Sequence, residues 1–430
     1  MIRRNFVVGS AVDRQTGWRP TAMRSVRPRA LLVLGLVLAP LAPTAHAADA
    51  GEELSVHLLT LGPGDHPFFT LGESAIWIQD ERAGTGVVYD FGPVKPDSTW
   101  SLITWLSGRL SNRRSRVPIQ EALQTYRRAN RTIDAQDLDL PPAARVALRR
   151  ELELGVLPDN RDYQYDPFLS NGSTRVRDAI DRASGGRLRA ASQGMPGGPT
   201  LREQALRLTH SLSPAHLIVY LGQGASSDRP LDHWGRMFLP DEVAKTLRRI
   251  GRAGSWNDPP LVAAEATIFA AHRDLPAQDP MVGTGRWVLA GLAIGTALAL
   301  GGRAARRLPR GRLILGAVMG VIGLVLGLLG SMLVLGWCFG DHLAVRRNEN
   351  ILQLAPWVLV LPVLAVGVAG GRPGATRQAF RITAATAALA GGGLLLKATP
   401  WFRQDNLPLI GLFLPVWAGL ALGLRALDRE

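Results

Sequence analysis

The chain has 430 residues, with 49 Lys+Arg against 35 Asp+Glu, a formal net charge of +14, 47% hydrophobic residues and one cysteine. A single cysteine excludes an intrachain disulfide framework, CxxC redox chemistry and a cysteine-rich zinc site. The positive surplus lies outside the middle of the chain: residues 48–280 hold 27 basic against 29 acidic residues, so the basic field of a nucleic-acid-binding domain is lacking and no nucleic-acid partner is expected.

At the N-terminus, Arg24, Arg27 and Arg29 precede an apolar run from Ala30 to Leu41, followed by Ala45-His46-Ala47. A basic flank, a short apolar core and a small-x-small ending make residues 1–47 a signal peptide, with a mature start at Ala48. The apolar run is shorter than the roughly 20 residues that cross a bilayer, which disfavours an uncleaved anchor. Met23 would begin a leader of ordinary length, and the Arg3-Arg4-Asn5-Phe6 match lies too far from the apolar run to act as a twin-arginine signal.

Residues 48–250 read as an α+β domain. Leu54–Leu61, Ser74–Gln79 and Gly86–Phe91 are strand-like, the last two joined as a hairpin by the polar turn Asp80–Thr85. From Ser101 to Gly155 the pattern becomes helical, as in ARVALRRELELG. Leu169–Ser173 is turn-rich and runs into a helix over Thr174–Ala183, where Val176, Ala179, Ile180 and Ala183 recur at helical spacing before Gly185-Gly186. Asn171, Ser173 or Thr174 is the candidate N-cap. Leu201–Leu208 and Asp241–Ile250 are also helical, the second bounded by Pro240 and Gly251.

A turn entering a helix offers free backbone N–H groups and a dipole that stabilise a thiolate or an oxyanion. In YDPFLSNGSTRVRDAIDRASGG the nucleophile is missing. This block resembles the "NCxTRxRD" block of the Lnb-type periplasmic domain family, with Gly172 where the family carries cysteine. LLTLGPGDHPFFTLGESAIWI (Leu58–Ile78) is similar to the family's "GPG…FGHSA" segment, with Glu73 at the histidine position. The likeness covers most of residues 54–250, including YRRANRTI, LRAASQG and DHWGRMFLP. It implies a circularly permuted papain-like domain, histidine before cysteine, joined to a membrane domain. It also implies acyl transfer onto the N-terminal amine of lipoproteins as the family's chemistry.

Cys–His acyl transfer needs a thiolate and an imidazole that moves its proton near neutral pH. Gly172 supplies no nucleophile, and Glu73 can act as a base only if burial raises its pKa. Ser173 is offset by one residue and lacks a histidine base, so capping is its simpler role. His57, His66, His210, His216 and His233 show no HExxH or His-x-His spacing, and neither a metal site nor a cofactor is expected. Cys338 ends an apolar run far from both blocks and reads as an inert thiol.

Residues 251–285 form a juxtamembrane connector, and five apolar spans follow at roughly 286–302, 313–336, 351–371, 382–398 and 407–424, with a tail at 425–430. Glycine and alanine make the first and fourth only mildly apolar, which leaves a four-span alternative. Arg303, Arg306, Arg307, Arg310, Arg312, Arg372, Arg377, Arg381, Arg425 and Arg429 share one side, against Arg286, Arg346, Arg347, Lys397 and Arg403 on the other. The richer side is cytoplasmic, which places residues 48–280 in the periplasm of a bacterial inner-membrane protein. Trp287, Trp337, Trp357 and Trp401 near span ends fit an aromatic belt.

The outward loops CFGDHLAVRRNENIL and RQDNLPLI resemble segments of full-length members of the same family. They gather Asp341, His342, Asn348, Asn350, Asp405 and Asn406 on the face toward the soluble domain. Either these are ordinary polar loop residues, or they form, with Asn171, Ser173, Thr174 and Arg175, a rim that recognises a lipid headgroup or lipid-attached peptide. Three functions follow. The first is a catalytically degenerate domain binding membrane lipids, a lipoprotein or another envelope protein. The second is an acyltransferase or hydrolase using Glu73, Ser173 or the Asp341-His342 pair. The third is a transport or assembly factor, disfavoured by spans that lack acidic residues.

Overall fold

The computed structural model describes residues 50–64, 71–92, 104, 107–209, 213–251, 260–272 and 284–428. The expected signal peptide at 1–47, His66, His210 and Arg429 lie outside the described residues. In chain order the first elements are β1 (Leu54–Leu61), β2 (Glu73–Asp80), β3 (Thr85–Asp90), β4 (Ser111–Arg113), β5 (Ser115–Pro118), α1 (Ile119–Arg128), β6 (Ile133–Leu138) and α2 (Pro142–Gly155). There follow β7 (Asp162–Gln164), α3 (Gly172–Ala183), β8 (Pro196–Thr200), α4 (Leu201–Thr209), α5 (Ser213–Gly222), β9 (Pro230–Asp232), α6 (Pro240–Arg249) and β10 (Val262–Phe269).

Six strands form one antiparallel sheet in the order β10-β6-β1-β2-β3-β5, while β4 pairs with β7 and β8 with β9. Strand β1 carries the two-residue period: Leu54, Val56 and Leu58 enter one buried cluster, and Leu59 and Leu61 enter another. On the first face the sheet meets Leu148 and Leu152 of α2 and Val176, Ala179 and Ile180 of α3. On the second, α1 covers it with Ile119, Ala122 and Tyr126. The hairpin β2–β3 forms as its sequence predicts.

Two sequence expectations need correction. The stretch from Ser101 to Gly155, read as helical, also contains β4, β5 and β6. Those strands have three to six residues, and β6 carries Asp134, Gln136 and Asp137, so no apolar run announces them. The segment 251–285, read as a connector, supplies β10, which extends the sheet by pairing with β6. Thr267, Ile268 and Phe269 favour a strand, while most of β10 stays exposed as an edge.

The rest is helical: α7 (Thr284–Ala305), α8 (Gly311–Phe339), α9 (Leu361–Ala369), α10 (Pro373–Leu396) and α11 (Leu407–Asp428). Four of these are long and apolar enough to cross a membrane, or five spans exist if the bent pair Leu343–Leu352 and Pro356–Ala369 is one. The mildly apolar first and fourth spans are continuous helices. The third, expected at 351–371, is the broken one, bent by 60°. Pro356 and Pro362 remove backbone donors there, and the irregular backbone is tolerated because it lies against protein. Residues 425–428, read as tail, continue α11.

Glycine sets the helix packing. Along α8, Gly316, Gly320, Gly323, Gly327 and Gly330 face residues running backwards from Ala369 to Leu354, so the broken segment lies antiparallel in a glycine groove. Helices α7 and α11 run parallel, with Gly291 against Gly411, Gly295 against Pro415 and Gly419, and Gly302 against Gly423. A Cβ on Gly295 would meet the Pro415 carbonyl oxygen at 2.2 Å, whereas one on Gly301 meets nothing within 4 Å. Without a hydrophobic force between helices in lipid, such close backbone approach is the main source of their association. Gly295→Leu is therefore expected to lower stability by at least about 1–3 kcal/mol and Gly301→Ala to leave it unchanged. Thermal unfolding of the detergent-purified chain measures both, and equal effects would refute this packing.

Candidate functional site

Helix α3 starts at Gly172, and its cap is built from the flanking sequence. The Asn171 side chain accepts from the Thr174 N–H at 2.9 Å, and the Thr174 hydroxyl accepts from the Asn171 N–H at 2.8 Å. Asn171 also donates from Nδ2 to the Pro167 and Phe238 carbonyls. Of the three N-cap candidates, Asn171 thus holds the position and Thr174 closes the capping box. Ser173 is buried and accepts from the Ser74 hydroxyl at 3.2 Å. Arg175 stacks over Tyr163, 4.7 Å from the ring centroid, and donates to Ser170.

Strand β2 brings Glu73 to this helix entry. A Cβ placed on Gly172 would lie 3.7 Å from Glu73 Cγ and 3.8 Å from the Ser74 carbonyl oxygen. The two positions matched to the family's Cys–His pair are therefore adjacent across the α3–β2 contact, and a cysteine would fit at ordinary van der Waals distance.

Glu73 is nonetheless committed elsewhere. Its carboxylate pairs at 3.0 Å with Arg131 Nη1, and both side chains are over nine-tenths buried. Arg131 follows α1 and is fixed in turn by donating from Nε to the Gly62 carbonyl at 2.9 Å. Asp90, on β3, shares a hydrogen bond with Glu73 and accepts from Tyr126 Oη at 3.0 Å. Burial, and next to it the Glu73 carboxylate, push the Asp90 carboxyl well above its usual range. Neither Arg131 nor Asp90 is marked by a local sequence pattern. Arg131 lay within the YRRANRTI block, but only the fold brings it to Glu73.

The outward-loop candidates serve mainly to join the two halves. His342 Nδ1 meets Asp166 Oδ2 at 2.9 Å, and Asp166 also accepts from the N–H groups of Phe168 and Leu169. The membrane half thereby grips the turn that leads into α3. Asp341 pairs with Arg109 at 3.3 Å, and its N–H donates to the Ser107 carbonyl. Gly224 and Ala225 donate to the Ala344 and Arg347 carbonyls, and Gly224 has no space for a Cβ, which would meet the Arg346 carbonyl oxygen at 2.0 Å. Asn348 and Asn350 donate to the Leu221 carbonyl, and Asn406 donates to Asn350. Asp405 is exposed.

Buried polar partners without a sequence signal complete this junction. Lys397 pairs with Glu349, whose carboxylate also accepts from the Gln404 N–H. Gln404 donates to the Gln223 carbonyl. Arg202, 1% exposed, pairs with Asp228 and donates to the Tyr220, Gln223 and Gly224 carbonyls, which shapes the loop that docks. Leu206, Tyr220 and Leu221 pack into the same apolar cluster as Leu354 and Trp417. Among the described residues, no group of three or more His, Cys, Asp or Glu is arranged to hold a metal ion.

Residues 43–207 match the model of the family described as the Lnb N-terminal periplasmic domain. The chain therefore carries a domain of the family that its two sequence blocks resemble. Neither the curated proteins nor the solved structures compared with the chain give a match. A periplasmic domain of this family followed by apolar helices fits an inner-membrane protein.

Removing one partner of a buried ion pair is costly because the other charge stays buried. Glu73→Ala and Arg131→Met are each expected to cost about 3–5 kcal/mol, and together less than their sum; chemical denaturation followed by tryptophan fluorescence checks this, and additive or negligible effects would exclude the pair. Burial alone would raise the Asp166 carboxyl, but the hydrogen bonds from His342, Phe168 and Leu169 outweigh it and hold the group below its usual range. A depressed carboxyl adds stability above its unfolded value and loses it as pH falls through the folded one. Thermal midpoints measured across acid pH should therefore fall more steeply for the wild type than for Asp166→Asn, and parallel curves would remove this linkage.

Proposed function

We propose that the chain is an inner-membrane protein whose periplasmic domain has lost Cys–His acyl transfer and binds a lipid-linked envelope partner, such as a lipoprotein, on a platform fixed to the membrane helices. In this reading the domain keeps a permuted papain-like arrangement, its C-terminus is cytoplasmic, and Glu73 and Gly172 mark the former catalytic positions. The observation that carries it is the buried Glu73–Arg131 pair opposite Gly172. The Glu73 carboxylate is engaged by a buried guanidinium, and glycine offers no nucleophile.

The alternatives have less support. Ser173 is partnered by Ser74, and Glu73 by Arg131 and Asp90, and among the described residues no hydrogen bond links the serine to a base. His342 is engaged through Nδ1 by Asp166 at 2.9 Å. The binding role is supported by the capping box that orders the helix entry, and by a junction that holds the adjacent turn against the membrane half.

The test is incubation of the full chain in lipid nanodiscs with a diacylated lipopeptide, followed by mass spectrometry. The expected result is retention above empty nanodiscs with the lipopeptide recovered intact. Release or transfer of an acyl chain that Glu73→Ala or Ser173→Ala abolishes would contradict the proposal.

A further inference from the structure

Helix α7 begins beside the soluble domain, where Trp287 stands 6.5 Å from the Tyr220 ring, and its 22 residues rise about 33 Å to its other end. Helix α11 runs parallel to it, and the contact of Gly302 with Gly423 holds their far ends together. There Arg303, Arg306, Arg307 and Arg425 line an open cavity of about 860 Å³. Its remaining wall is Ala304, Leu308, Leu422 and Ala426, and Leu308 and Leu422 are more than half exposed. No carboxylate is among these lining residues; Asp428 nearby pairs with Arg377 on α10.

An excess of arginine on one side is expected of any polytopic protein, so charge alone indicates no ligand. These four differ in converging on one concavity with apolar walls. Arg372, Arg377 and Arg381, near the start of α10, are not among its lining residues. A guanidinium presents a planar fork that matches phosphate oxygens in pairs. A water-soluble anion would leave Leu308 and Leu422 uncovered, whereas a lipid places its phosphate among the arginines and its chains along the leucines. Basic pockets between membrane helices recognise anionic headgroups in this way.

We propose that this cavity binds the phosphodiester headgroup of an anionic glycerophospholipid, with the acyl chains lying on Leu308 and Leu422. The experiment equilibrates the full chain with mixed micelles of phosphatidylglycerol and phosphatidylethanolamine and counts retained lipids by native mass spectrometry. Arg303→Gln, Arg307→Gln and Arg425→Gln together should weaken phosphatidylglycerol retention at least about tenfold. The control Arg372→Gln, Arg377→Gln and Arg381→Gln removes the same number of charges and should change retention less than about twofold, since these charges lie outside the cavity. Ala304→Trp, which fills the cavity while keeping every arginine, should also lose the lipid. That variant answers the objection that charge removal disturbs insertion. Equal loss in the two arginine triples, full retention by Ala304→Trp, equal retention of phosphatidylethanolamine, or displacement by millimolar inorganic phosphate would each overturn the proposal.

Discussion

The buried ion pair between Glu73 and Arg131 governs the arrangement of the soluble domain's candidate site. Taking both charges out of water is costly, and that cost is offset only if each keeps its partner and further hydrogen bonds. Arg131 is held by the Gly62 carbonyl, and Glu73 is flanked by the buried Asp90, which accepts a hydrogen bond from Tyr126 in turn. The pair thereby joins β2, β3, α1 and the start of β6 at the entry of α3. In a Cys–His enzyme this entry must stay free to move a proton. Here the group facing the helix is fixed, and its charge is already answered.

A second constraint concerns the other side of the same turn. Asp166 opens the segment that ends at the Asn171 cap, and His342 from the membrane half holds it. Gly224 is pressed against the Arg346 carbonyl, where a side chain would clash. The loop around Gly224 is organised by the buried Arg202, and the opposing loop by Glu349, Lys397 and Gln404. The soluble domain is therefore seated on the membrane helices through backbone contacts and buried polar groups. Several residues whose polarity suggested ligand recognition, notably Asn348, Asn350 and Asn406, spend hydrogen bonds on this seating.

Much of the fold was legible in the sequence. The alternation along Leu54–Leu61, the turn before β3 and the apolar stripe of α3 follow from local periodicity, and the two sequence blocks placed Glu73 and Gly172 together before any contact was visible. What escaped was determined by distant partners. Strand β6 forms despite its polar residues because β1 and β10 flank it and complete its ladder, and β10 looks like a linker because most of its side chains are exposed. The third span breaks because Pro356 and Pro362 interrupt it and the glycine groove of α8 accepts the result. Arg131, Asp90 and Asp166 are ordinary charged residues locally; their importance comes from what the sheet and the membrane half bring to them.

The central claim is that Glu73 is a structural carboxylate and not a base. It is tested most directly by giving the site its missing nucleophile. Gly172→Cys should fold, because the new Cβ meets Glu73, Ser74 and Phe91 at 3.7–4.0 Å. The measurement is thioester formation at position 172 after exposure to a diacylated donor, read by intact-mass spectrometry of the full chain. The account predicts none above the background of the wild type, whose one cysteine is Cys338. A thioester on the introduced thiol above that background would contradict it.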